Sequence, residues 1–200
     1  LKTERKQRII IVLEKGRLMI IGNEKGASVV EFSLVAILFF TVLFAIFEFA
    51  LMSWTNLTMQ HAVREGARYT ITGQDNLSGT FDYDNPDTRY LADDRFRAMV
   101  EKIKSQSMGI YDHVLGPEDI TVKYVDGSEA KKTIHYDGGT PGDTSDDEEW
   151  EVFYPGGPGE IIVIRLNCTW PVIIPLIRPF FSDGEYNFTV ASTMKNELFE

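Results

Sequence analysis

The chain has 200 residues, 44% of them hydrophobic, and a net charge of −10. That leaves room for one modest domain besides any anchor. The acidic balance excludes a nucleic-acid binder, whose basic surface must neutralise phosphates. The lone cysteine, Cys168, excludes an internal disulfide.

Charge is unevenly spread. Residues 1–26 carry seven Lys and Arg against three Glu, a net of +4, which leaves −14 for the remainder. Two short apolar runs in this region, Ile9–Leu13 and Leu18–Ile21, are interrupted by Glu14-Lys15-Gly16-Arg17. Neither is long enough for a membrane span, so the region reads as a basic tail or a removable leader.

The dominant feature follows. Between Glu31 and Glu48 there is no charge over roughly 16 residues, somewhat fewer than the ~20 that a bilayer core asks of a helix. Counted from Ala27 to Trp54 the stretch is long enough. Positive charge ahead of an apolar span holds that end in the cytoplasm. The acidic C-terminal portion is therefore expected outside. No Ala-x-Ala-like step follows the span, so it reads as a retained anchor rather than a signal peptide.

Helical character should continue beyond the membrane. Met59, Ala62, Val63, Gly66 and Thr70 fall on one stripe of a 3.6-residue period, with Arg64, Glu65 and Arg68 off it. Gly73 is a natural C-cap. From Ser28 to Thr72 such a helix would measure about 67 Å at 1.5 Å per residue. The expected organisation is a leader (1–26), a membrane-spanning half-helix (27–54), an amphipathic half of the same helix (55–73) and an extracytoplasmic domain (74–200).

That domain opens with a loop over 73–87, and a second helix with Asp87 as N-cap and Ala92, Phe96, Met99, Val100 and Ile103 as its apolar stripe. Met108-Gly109 should end it. After Gly116-Pro117 the period changes to two. Ile120–Val125 reads as a strand before the Asp126-Gly127 turn, and Lys132–Tyr136 as a weaker one. Glu151–Tyr154 is a short strand. Ile162, Ile164, Leu166, Cys168 and Trp170 alternate onto one face of the strongest strand. Pro171, Pro175 and Pro179 exclude a membrane helix or central strand after it, so 171–181 is expected to lie as a loop over an apolar surface. Tyr186, Phe188 and Val190 mark a last strand. The fold class is α+β: a long N-terminal helix and a second helix packed on a small antiparallel sheet.

Little in the chain suggests catalysis. His61, His113 and His135 are scattered without metal-ligand spacing, and no nucleophile elbow, phosphate loop or dinucleotide fingerprint occurs. The acidic loop Asp143–Glu149 has the hard oxygen ligands that Ca²⁺ prefers. It lacks EF-hand order, as do Asp82, Asp84 and Asp87, so a solvated loop without cofactor is expected.

Gly26-Ala-Ser-Val-Val-Glu31-Phe32-Ser-Leu-Val, then Phe47-Glu48-Phe49, then Ala62-Val-Arg64-Glu65-Gly66-Ala67-Arg68-Tyr69 resembles the TadE-like pseudopilins. These are minor components of the Flp/Tad branch of type IV pilus systems. Ala191–Glu197 resembles the family's ending more weakly. The resemblance implies a pilin-like N-terminal helix and cleavage between Gly26 and Ala27 by a membrane-embedded prepilin peptidase, which owns the catalytic carboxylates. It makes Glu31 position five of the mature chain. There its charge costs a few kcal/mol if it enters the bilayer core, and a neighbouring subunit's new α-amino group would offset that cost. Small Ala27 and Ser28 leave room for the approach. The implied partners are the peptidase, other pilin or pseudopilin subunits, the pilus assembly platform and membrane lipid. The implied location is the bacterial inner membrane, N-terminus inside, and, once assembled, a surface fibre. Glu48 is expected to mark where lipid gives way to water, with a polar contact between packed helices as the alternative. An unprocessed single-pass anchor carrying a binding or sensory domain is the alternative for the whole chain.

Overall fold

A computed structural model describes residues 12–14, 17–19, 24–75, 82, 86–116, 119–136 and 148–198. The chain divides into two units, Leu1–Ile46 and Phe47–Glu200.

In the first unit, β1 (Val12–Glu14) and β2 (Arg17–Met19) form an antiparallel hairpin, with Leu13 opposite Leu18. Val12 and Leu13, from the first apolar run, thus pair with Met19 and Leu18 of the second. Helix α1 (Glu24–Ile71) follows and runs on into the second unit. No proline interrupts it. Its apolar interval holds two hydroxyls, and both are satisfied locally: Ser33 Oγ donates to the Val29 carbonyl and Thr41 Oγ1 to that of Ile37, each at 2.7 Å. Back-bonding of this kind lets a hydroxyl sit on a helix in apolar surroundings.

In the second unit, α1 ends as expected. Gly73 takes a left-handed φ of 73° and its N–H bonds the Thr70 carbonyl at 3.1 Å. A 3₁₀ helix (Pro86–Leu91) precedes α2 (Asp94–Gln106), and a single turn, α3 (Tyr111–Val114), comes after. The second helix therefore starts later than the sequence suggested. Its N-cap is Asp93, whose carboxylate accepts the Phe96 N–H at 2.7 Å, rather than Asp87, whose side chain lies outside the described residues. An aspartate three residues before the first buried aromatic satisfies a free helix N–H, whereas Asp87 belongs to the 3₁₀ turn. The stripe itself holds: Ala92, Phe96, Met99, Val100 and Ile103 are all buried.

The main sheet is antiparallel in the order β3 (Ile120–Tyr124), β6 (Ile161–Pro171), β7 (Glu185–Lys195). Leu166 sits opposite both Ile120 and Val190, which sets the register. One face carries Ile120, Val122, Ile162, Ile164, Leu166, Cys168 and Val190 into a core shared with Met59, Ala62, Val63 and Ala67 of α1 and the α2 stripe. The other face is polar. Thr169 bonds Asn187 at 2.8 Å and Thr189 bonds Asn167 at 3.1 Å across it. Period two therefore separates core from solvent as read from the sequence.

A separate antiparallel hairpin joins β4 (Lys131–Tyr136) and β5 (Glu148–Phe153). Here the strand begins before Glu151, because Glu148 and Glu149 face Tyr136 and His135 in register. Pro171 still belongs to β6, opposite Glu185, so the loop expected over 171–181 starts one residue later: residues 172–184 connect β6 to β7 with two short 3₁₀ turns, and Val172 and Ile177 are buried there besides Gly184.

Candidate functional site

The residues singled out by sequence fall in two places. Gly26, Ala27, Glu31 and Phe32 lie in the first unit, at the start of α1. All are exposed, and a side chain at Gly26 would meet nothing within 4 Å. The Gly26–Ala27 bond lies in the first turn of the helix. Glu31 has no ion-pair partner among the described residues. Beyond it the helix presents Val29, Phe32, Val35, Leu38, Phe39 and Ile46, each more than half exposed. A core helix of a globular domain would bury such residues. Only 6% of the most apolar window is buried, so this helix is long and apolar enough to cross a membrane and its surface is left for something other than its own chain.

In the second unit the helix behaves differently. Arg64 and Arg68 are exposed, and Arg68 lies 3.6 Å from Glu65. Gly66 and Ala67 face the core. A Cβ on Gly66 would overlap the Ile103 side chain and come within 3.1 Å of the Met99 carbonyl oxygen. The Arg-Glu-Gly-Ala-Arg sequence thus has two jobs: its small residues bring α2 against α1, and its charged residues face away.

Glu48 is not a bare carboxylate open to its surroundings. It is 1% exposed, and its Oε1 accepts the Ile173 N–H at 3.0 Å. Glu48 Oε2 and Thr55 Oγ1, two turns apart on the helix, have no hydrogen-bond partner among the described residues. Met52, on the same face, is also buried. The domain therefore grips α1 from residue 48, where the uncharged interval ends. Phe49, by contrast, is largely exposed and lines an open groove of about 390 Å³ with Met52, Ser53, Asn56, Leu57, Phe181 and Tyr186.

Two further residues hold the far end of the helix, and neither stands out in the sequence as a site. Arg95 donates to the Thr70 carbonyl at 3.0 Å and the Gly156 carbonyl at 2.7 Å. Burial pulls its guanidinium below the usual arginine range, with Tyr154 and Asp93 opposing that shift. Asn196 is buried and donates from Nδ2 to Pro155 at 2.8 Å and Gly157 at 2.9 Å. The next residue, Glu197, gives its N–H to the Ile71 carbonyl at 3.0 Å. The Arg95 guanidinium and the Glu197 N–H thus reach carbonyls at the end of α1 that have no partner within the helix, while the Asn196 side chain ties down residues 155–157 beside them. The one hint in the sequence was that Ala191–Glu197 looked family-like.

Cys168 is buried among sheet residues as its alternation implied, and burial pushes its thiol up to about 12. Of the acidic loop Asp143–Glu149, residues 143–147 lie outside the described residues, as does Asp84. Glu148 and Glu149 stand on β5, where they pair with Arg89 at 2.8 Å and His135 at 3.1 Å.

An uncovered apolar helix leading into a small α+β domain suits a membrane-anchored protein. Residues 26–68 match the model of a family described as TadE-like protein. No curated protein and no solved structure matches the chain. The matched residues cover the apolar half of α1 and most of its domain-facing half, so the resemblance read from the sequence is found where the sequence placed it. Together with the helix it fits a Tad pilus-associated membrane protein.

Proposed function

We propose that this chain is a TadE-like minor pseudopilin that takes part in assembling a Tad-type pilus and is cut between Gly26 and Ala27 by a prepilin peptidase. Its N-terminus faces the cytoplasm and its second unit the outside. The observation that carries this reading is the first half of α1: an exposed apolar helix, opened by an exposed glutamate five residues after Gly26, within the family match.

In this reading the chain is a substrate and a building block, not an enzyme, and needs no cofactor. The apolar half of α1 is held in the inner membrane by lipid and by other pilin or pseudopilin helices. Glu31 sets the register between subunits, paired with the Ala27 α-amino group of a neighbour. In a low-dielectric setting such a pair is worth far more than in water, and an unpaired Glu31 is costly. Register is therefore tied to pairing. The pilus assembly platform would collect the subunits.

Mass spectrometry of the membrane-purified protein tests processing. In cells with an active prepilin peptidase the chain should begin at Ala27, and in peptidase-null cells it should not. An intact 1–26 segment in both would leave an unprocessed anchor carrying a binding or sensory domain.

A further inference from the structure

The segment from Pro171 to Phe181 combines properties that the pilin reading does not use. Pro171 closes β6 opposite Glu185, and Pro175 and Pro179 keep the rest of the segment out of the sheet, yet seven of its eleven residues are Val, Ile, Leu or Phe. Val172 and Ile177 turn inward, while Ile173 is 60% exposed, Leu176 56% and Phe180 83%. On the helix, Phe49 and Trp54 are exposed as well. The groove that Phe181 and Tyr186 form with Phe49 and Met52 joins the two sets. An apolar cluster of this kind on a domain surface marks contact with something other than water.

The level of the loop on the helix identifies what it meets. The Ile173 N–H bonds Glu48, so the loop lies beside the residue where the uncharged interval ends. That interval, Phe32 to Phe47, is about 24 Å of helix at 1.5 Å per residue, and a bilayer core is about 30 Å thick. The uncharged interval alone is thus about 6 Å, roughly one helical turn, short of that thickness. Exposed Phe49, Leu51, Ile173, Leu176 and Phe180 continue the apolar surface past Glu48, and the loop covers the one carboxylate that would otherwise break it.

Charge points the same way. The chain beyond residue 26 carries −14, which an anionic bilayer surface repels. Residues 161–182, however, contain no Asp or Glu, only Arg165 and Arg178. Arg178 is exposed within the loop, placed to meet lipid phosphates. Trp54 and Tyr186 are the aromatic types enriched at the membrane–water boundary.

We propose that the Pro171–Phe181 loop is a second membrane contact, which sits in the outer lipid interface beside the exit of α1. Ile173, Leu176 and Phe180 enter the headgroup boundary, Arg178 binds phosphate, and the Glu48–Ile173 hydrogen bond fixes the loop's height on the helix. This rests on the membrane-anchor part of the proposed function, not on processing or assembly.

The test uses the full chain in vesicles of phosphatidylethanolamine and phosphatidylglycerol. An environment-sensitive fluorophore is attached in turn at Phe180→Cys and at Thr72→Cys. Thr72 is exposed and lies about 35 Å further along the helix axis. Buried Cys168 should not label, which the unsubstituted chain checks. The label at 180 should shift to the blue and lose most of its emission to nitroxide-bearing lipids, while that at 72 should do neither. Water-like emission at 180 in a chain that resists carbonate extraction overturns the loop contact and leaves the anchor standing. Release of the chain by carbonate overturns both. Shielding at 180 that lipid nitroxides do not reach, and that grows with protein density, would assign the surface to a second copy and overturn the lipid contact.

Discussion

One continuous helix, α1, is used in two ways. Before residue 47 its apolar side chains are uncovered around the whole circumference, from Val29 to Ile46. From Met59 to Thr70 only one stripe is apolar or small, and that stripe is buried, while Arg64 and Arg68 stay outside. Local geometry is the same in both halves, with the same backbone hydrogen bonding. The difference lies in the solvent each half is built for. An all-round apolar helix needs lipid or other helices, whereas a striped one needs a domain on one side and water on the other. The same residue type therefore has opposite meaning: Phe in the first half costs nothing by exposure to lipid, while Phe96 of α2 must be enclosed.

Substitutions can break that contrast. Phe96→Ala should cost the second unit about 3–5 kcal/mol, since it empties the contact between α2, Tyr90 and Phe153. Thermal unfolding of the full chain in detergent, followed by circular dichroism, should show a large fall in Tm. A shift no greater than that of a surface substitution would mean that α2 does not pack on this core.

Asn196→Ala should cost about 1–3 kcal/mol, because it leaves the Pro155 carbonyl, which is buried, and the Gly157 carbonyl, which is half-buried, without their donor. Hydrogen exchange should then rise first at the end of α1 and in residues 155–159. Uniform exchange across the domain would show that Asn196 is not a local clamp.

Gly66→Ala sets two effects against each other. Alanine improves helix propensity by about 1 kcal/mol, but overpacking against Ile103 and the Met99 carbonyl costs about 1–3 kcal/mol. A net loss of about 1 kcal/mol is expected, since a backbone oxygen cannot rotate away. A gain in Tm would show that the helices are further apart here.

Glu31→Ala should be the mildest for the fold, within about 0.5 kcal/mol as for other exposed positions. The proposed role predicts that pilus assembly fails nonetheless while insertion into the membrane persists. Normal piliation from this variant would remove Glu31 from assembly.

The α1 stripe, the end at Gly73, the long alternating strand and the buried Cys168 were all legible, because periodicity reports directly which side of an element faces the core. The α2 start was less so. Asp87, Asp93 and Asp94 are all plausible caps, and only the 3₁₀ turn over Pro86–Leu91 shows that Asp93 does the capping. Arg95 and Asn196 carried no pattern, since their partners are backbone carbonyls, which every residue possesses.

By itself the sequence determined the long apolar helix, the direction of the charge gradient, the α+β class and the TadE-like resemblance of residues 26–69. Those follow from hydropathy, charge and period, which are local properties. Only the tertiary structure decided where the domain takes hold of the helix. Glu48 is a carboxylate in an apolar run, and hydropathy places it at the edge of lipid. The fold buries it there and bonds it to the Ile173 backbone, 125 residues away. A hydrogen bond to backbone over that separation leaves no trace in composition or period, so it becomes visible only when the chain has closed on itself.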